Sequence, residues 1–192
     1  MIKKIILCLM VGIFCFTLPT DAQEAKKKPW LVVYSSQTGN TQKIAEAIFA
    51  VLPEGSEIYH IDQAPSADGY ENIVVGFWTI RGGADDKAVE YLKKMTNSRV
   101  FLFGTMFSND ITGYGQGVLG RAAAVLNENC TVIGKFICQG KLSDEHVEKM
   151  KQRPAGHAHA PTPERMQKVL DASTHPDEQD CLNAQAAIKA VL

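Results

Sequence analysis

The sequence predicts a doubly wound α/β fold built on a mainly parallel sheet, and three observations carry that prediction. Strand-like apolar runs alternate with helical patterns from Trp30 onward. The first run, Trp30 to Ser35, is continuously apolar, as a strand covered by helices on both faces should be. Between it and the first helical pattern lies Ser35-Ser36-Gln37-Thr38-Gly39-Asn40-Thr41. A turn rich in hydroxyls and glycine at that junction is where such sheets seat a ligand.

The turn reads as a phosphate site. Hydroxyls at Ser36, Thr38 and Thr41 can each donate to phosphate oxygens, and Gly39 permits close backbone approach. The helix that opens near Thr41 turns its unpaired N–H groups toward the same point. No Lys stands where a Walker A loop needs one, so a single terminal phosphate fits better than a metal-bound triphosphate.

The remaining elements follow in order. Ile44, Ile48, Val51 and Leu52 form one stripe of the first helix, which Pro53-Glu54-Gly55 ends. Ser56 to Ile61 alternates as an edge strand would. The segment through Pro65-Ser66-Ala67-Asp68-Gly69 is too short for a crossover helix and predicts a turn. Asn72 to Trp78 is the third strand, followed by the loop Thr79-Ile80-Arg81-Gly82-Gly83. Ala84 to Met95 is helical, with Ala88, Tyr91, Leu92 and Met95 on one face, and Val100 to Phe103 is the fourth strand. A long loop, Gly104 to Gly115, precedes a helix whose face is Val118, Leu119, Ala122, Val125 and Leu126. Thr131 to Cys138 is the fifth strand. Residues 140–176 are polar and segmented, with one helix near 143–151 and another starting at Thr162-Pro163-Glu164. The last helix buries Cys181, Ala184, Ile188 and Val191.

Composition narrows the function classes. The chain has 192 residues, 45% of them hydrophobic, enough for one well-buried core. Its net charge of −1 and the lack of a dense Lys/Arg stripe argue against nucleic acid as the main partner. Met1-Ile2-Lys3-Lys4, the apolar run from Ile5 to Leu18 and Thr20-Asp21-Ala22 form the three parts of a secretory signal peptide over residues 1–22, with cleavage expected after Ala22. Export to a periplasmic or extracellular space is the expectation, with an uncleaved N-terminal anchor as the alternative. Residues 23–29 read as a spacer before the domain at 30–192. Cys130, Cys138 and Cys181 are an odd set that reads as buried free thiols, a single bridge being the alternative. His157 and His159 lack a fixed third ligand, so no metal centre is predicted, and no residue is assigned a catalytic role.

The pattern of Ser36, Thr38, Gly39 and Thr41 after a first strand strongly resembles the phosphate loop of flavodoxins. Further matching motifs are Val75-Gly76-Phe77-Trp78, Phe103-Gly104-Thr105, Cys138-Gln139-Gly140-Lys141, Pro161-Thr162-Pro163-Glu164-Arg165 and His175-Pro176-Asp177-Glu178. Together these resemble a branch of flavodoxin-domain proteins that includes the small partner of bacterial bilirubin reductase. The resemblance implies a five-stranded parallel sheet in the order 2-1-3-4-5, with the segment at about 140–176 inserted before the last helix.

It also implies FMN as cofactor, held by Ser36, Gln37, Thr38, Gly39, Asn40 and Thr41 at the phosphate and by Phe77, Trp78, Thr79, Gly82, Gly104, Thr105, Tyr114 and Gly115 around the ring. Trp78 would cover one ring face and Tyr114 the other. Backbone groups of Gly104, Thr105 and Gly115 would meet the pyrimidine edge, and Gly82 or Gly83 would turn a peptide toward N5. Arg81 near the ring would raise its potential. The function implied is electron transfer to a separate reductase, with bilirubin or another tetrapyrrole as the reduced substrate. Two alternatives stay open: an FMN-dependent quinone or small-molecule reductase, and an exported domain that binds another phosphate ligand without redox work.

Overall fold

A computed structural model describes residues 27–192. The expected signal at 1–22 and residues 23–26 of the spacer lie outside the described residues. Strand β1 (Lys28–Tyr34) takes in the last two spacer positions, because Lys28 and Trp30 already pair with Tyr70 and Asn72. Helix α1 (Asn40–Phe49) and strand β2 (Glu57–His60) follow. Two short 3-10 turns, Ile61–Gln63 and Ala67–Gly69, stand in the brief connection where no crossover helix was expected. Strand β3 (Tyr70–Ile80), strand β4 (Gly83–Ala84), helix α2 (Asp86–Lys94), strand β5 (Arg99–Met106) and helix α3 (Tyr114–Ala123) come next. Strand β6 (Thr131–Gln139), helix α4 (Asp144–Lys151), helix α5 (Pro163–Ala172) and helix α6 (Glu178–Lys189) complete the described chain.

The main sheet runs β2-β1-β3-β5-β6, every neighbouring pair parallel. In terms of the five expected strands this is the order 2-1-3-4-5. The sixth strand, β4, is an addition: it pairs antiparallel with the end of β3 through Thr79↔Ala84 and Ile80↔Gly83. Arg81 and Gly82 at the tip have φ of 49° and 80°. Two successive left-handed residues close a two-residue hairpin whose twist matches its strands. The segment Thr79 to Gly83 was expected to be a loop because it lacks the Asn-Gly pair that usually marks such a turn. Gly104 and Thr105 likewise belong to β5, and Tyr114 and Gly115 to α3, which leaves residues 107–113 as the loop.

Alternation along the strands fills two apolar layers. Leu31, Val33, Ile73, Val75, Phe77, Val100 and Leu102 face α2 and α3, meeting Ala88, Leu92, Val118, Leu119 and Ala122. Trp30, Val32, Val74, Phe101 and Phe103 face α1 and α6, meeting Ile44, Ala45, Ile48, Ala184 and Ile188. Full burial of each large aliphatic or aromatic side chain contributes about 1.5–3 kcal/mol. Val51 and Leu52 follow the end of α1 and are only half-buried.

Three aromatic rings lie over glycines on neighbouring strands. Register pairs Gly76 with Phe103, Phe77 with Gly104 and Phe101 with Gly134. A Cβ on Gly76 would come 2.0 Å from the Phe103 ring, and one on Gly104 would come 2.8 Å from that of Phe77. The missing side chains are what let these rings lie flat in the centre of the sheet. Gly76→Ala is expected to destabilise the protein by about 1–3 kcal/mol through overpacking. Urea denaturation reads this as a lowered midpoint; an unshifted midpoint would show that the Phe103 ring has room to move.

Candidate functional site

The carboxyl ends of β1, β3, β5 and β6 open on one edge of the sheet, where a cleft of about 440 Å³ is lined by Gln37, Thr38, Asn40, Trp78, Thr79, Thr105, Phe107, Lys141 and His146, among others. The cleft lies where strand order reverses about β1 and β3, the usual ligand position in an open α/β sheet.

Its phosphate end is built by α1. Gly39 sits in the left-handed region at φ 84°, which starts the helix abruptly, and no side chain caps it. The first turn contains no acidic residue, whereas α2, α4, α5 and α6 each have at least one there. The first-turn N–H groups therefore lack both an intrahelical partner and a local carboxylate. Beside them, the Ser36 Oγ is buried without any hydrogen-bond partner. A buried hydroxyl left unpaired is costly unless something arrives to accept from it. Thr38 and Gly39 are exposed at the mouth. These donors fit a phosphate monoester, and no cation among them is needed for the fit.

Thr41 does something other than expected. It is fully buried, and its Oγ1 lies 2.9 Å from Thr105 Oγ1. This hydroxyl pair ties the phosphate loop to β5 instead of pointing at a ligand. Asn40 is a second tie: its Nδ2 donates to the Lys141 carbonyl at 2.8 Å, and Gly140 leaves room for it, since a Cβ there would sit 2.8 Å from that nitrogen. Asp85 is a third. Its Oδ1 accepts from Ser35 Oγ at 2.9 Å and from the Ala88 amide at 3.2 Å, so one carboxylate caps α2 and holds the start of the phosphate loop. Its other oxygen is buried and unpaired, as is Thr79 Oγ1 on the cleft wall.

At the ring end, Trp78 is half-buried and lines the cleft. Phe77 is fully buried in the layer under α2 and α3 and presents no side chain to the cleft. Tyr114 is 43% exposed and lines a smaller neighbouring pocket with Arg81, Phe107 and Ser108, so the main cleft is closed by Phe107, Leu142 and His146 instead. The Gly115 amide donates to the Asp110 carbonyl at 2.8 Å, which removes it from the expected ring edge. Gly104 is held in the β5 ladder opposite Phe77 and Ile137. The Gly82 carbonyl accepts from Arg121 Nε at 2.6 Å and is thereby turned toward α3.

Charge in the cleft is one-sided. Arg81, Lys141 and His146 line it and no carboxylate does. Asp110, nearby on the 107–113 loop, accepts from the amides of Tyr114 and Gly113, which hold its carboxyl below the usual range. Lys141, Leu142, Ser143 and His146 were not among the residues expected to line the flavin site. Their signal was available, since they follow β6 and must emerge on the edge shared by the other three loops.

The remaining candidates are structural. Cys130, Cys138 and Cys181 are free thiols. Burial pushes the Cys138 thiol well up, away from the thiolate a redox role requires. His157 Nδ1 accepts from the His159 amide within its own turn. His175, Asp177 and Asp180 have ligand-like spacing, but Asp180 already accepts from His175 at 2.6 Å and from the Asp177 amide at 2.9 Å as part of the α6 capping box. Asp85→Ala removes a helix cap and the Ser35 link together, so a stability loss of about 1–3 kcal/mol is expected. A change below about 0.5 kcal/mol by chemical denaturation would contradict that dual role.

Comparison with known proteins agrees with this geometry. A model of the flavodoxin domain family matches residues 31–189. The flavodoxin-like domain-containing protein BilS of Clostridioides difficile (strain CD3) is 29% identical over 170 residues, covering 84% of this chain and 95% of that protein. Its namesake in Clostridium symbiosum (strain WAL-14163) is 30% identical over 172 residues, covering 79% of this chain and 89% of that protein. A solved short-chain flavodoxin associated with a bacterial microcompartment shares the fold, with a TM-score of 0.50 and 15% identity over 85% of this chain and 99% of that one. With a family match spanning nearly the whole described chain and full-length relatives of the same kind, this protein belongs to the flavodoxin domain family.

Proposed function

We propose that this chain is an FMN-binding electron-transfer protein that serves a separate reductase, with bilirubin or a related tetrapyrrole as the substrate reduced there. The observation that carries the reading is the uncommitted donor set at the start of α1: a buried, partnerless Ser36 hydroxyl beside an uncapped helix end without carboxylates. Family membership and the similarity to BilS proteins along nearly the whole chain support the flavin and the branch. An exported location is part of the same proposal and rests on the residue pattern of 1–22. Among the described residues no helix is long and apolar enough to cross a membrane.

When bound, FMN supplies the redox chemistry, accepting and releasing electrons one or two at a time. The protein's part is to hold, cover and tune. Ser36, Thr38, Gly39 and the first-turn amides would hold the phosphate by hydrogen bonds that need no counter-cation. Trp78 and Phe107 both line the cleft, where an aromatic face can stack on a flat ring. Thr79 and the backbone of β5 lie at the cleft floor. The side chains of Thr41, Asn40 and Asp85 are struts in this account; they fix the loops that hold the ligand. Arg81, held on the hairpin tip, places a cation on the cleft wall where it favours added negative charge on the cofactor.

Two experiments test the proposal. Titration of the protein with FMN should quench flavin fluorescence at one equivalent. Ser36→Ala should weaken FMN by about tenfold or more while leaving riboflavin unaffected, as expected for loss of one charge-assisted bond to the phosphate. Equal weakening of both flavins would place Ser36 away from the phosphate, and steady NADPH oxidation with a quinone by the protein alone would favour a self-sufficient reductase. Arg81→Gln should lower the two-electron potential by on the order of 20 mV. An unchanged or higher potential would remove Arg81 from the tuning role.

A further inference from the structure

A second cavity of about 250 Å³ adjoins the phosphate loop, lined by Thr38, Gly39 and Asn40 together with Lys43, Lys141 and the 173–176 segment. It shares Thr38, Asn40 and Lys141 with the main cleft. The flavin reading uses Thr38, Gly39 and the Asn40 amide of its lining, but not Lys43 or the 173–176 segment.

Its donor set is unusual for a gap between packed elements. Lys43 stands in the first turn of α1, at the end of the helix where a cation is unfavourable. Its Nζ donates to the Pro176 carbonyl at 2.5 Å, leaving two more N–H groups, and it forms no ion pair among the described residues. Lys141 supplies a second ammonium from the segment after β6, and Thr174 a hydroxyl. His175 is held by Asp180 through Nδ1, which keeps the ring in place. Asp177 and Asp180 lie close behind His175 in the α6 capping box, but no carboxylate lines the cavity itself. Two lysines, a histidine and a threonine line one cavity beside the start of α1, more donors than a carboxylate can use. They match the three terminal oxygens of a phosphoryl group.

We propose that this cavity is a second anion subsite that takes a second phosphoryl group, next to the seat of the flavin phosphate. The proposal rests on the flavin reading for the identity of the first group. The second phosphoryl has two possible sources: the adenylate phosphate of a dinucleotide flavin, which would make FAD a ligand as well as FMN, or a free phosphate bound alongside FMN.

Calorimetric titration distinguishes them. If the source is free, protein saturated with FMN takes up one further equivalent of inorganic phosphate; if it is covalently linked, FAD binds the flavin-free protein at least as tightly as FMN does. In either case Lys43→Met weakens that second interaction by about tenfold and changes FMN affinity by less than about twofold, and Lys43→Arg restores it. Thr174→Val, which leaves the Pro176 contact untouched, should weaken it in the same direction. Retained FMN binding with no phosphate uptake, with FAD weaker than FMN and with both ligands indifferent to Lys43→Met overturns the subsite and leaves the flavin reading standing. Failure of FMN itself to bind sinks the flavin reading; inorganic phosphate uptake by the flavin-free chain that Lys43→Met abolishes would still support the subsite, and its absence would overturn it.

Discussion

The structure depends on one unsatisfied helix end. Helix α1 begins at a left-handed glycine, carries no capping side chain and has no carboxylate in its first turn, so its first N–H groups lack an intrahelical partner, and the Ser36 hydroxyl just before it is buried with no hydrogen-bond partner among the described residues. Folding tolerates such a deficit only where the rest of the molecule compensates. Here the compensation comes from two apolar layers over a fully parallel sheet, which hold the end of β1 against the start of α1.

The loops around that helix end are joined to one another by buried polar contacts, not by apolar packing. Thr41 meets Thr105, Asn40 reaches the Lys141 carbonyl, and Asp85 takes in both Ser35 and the start of α2. The contacts Thr41–Thr105, Asn40–Lys141 and Ser35–Asp85 each span 50 or more residues of sequence. Together they link the phosphate loop to the β3–β4 hairpin, to β5 and to the segment after β6, so the phosphate seat and the ring walls are positioned as one unit. The Arg81-Gly82 hairpin extends this unit past the sheet and sets a cation on the cleft wall.

Local patterns revealed most of the fold. Continuous apolar strands, hydroxyl caps at Ser143 and Thr162 and the shortened connection after β2 were visible because each is set by neighbours in sequence. The phosphate loop was visible for the same reason. What stayed hidden depends on distant partners. Thr41 is chemically a phosphate donor, and only the approach of Thr105 on β5 assigns it to a strut. Tyr114 and Phe107 are both loop-border aromatics, and the capping of α3 by Asp110 decides which of them faces the cleft. The hairpin at Arg81 was hidden because a non-glycine residue adopts the left-handed conformation there.

A crystal structure of the protein with FMN tests the central claim most directly. The account predicts the phosphate within hydrogen-bond reach of Ser36 Oγ and the first-turn amides of α1, with the ring against Trp78 and Thr41 still paired to Thr105. A phosphate lodged elsewhere, or a Ser36 hydroxyl left without a partner in the complex, would contradict it.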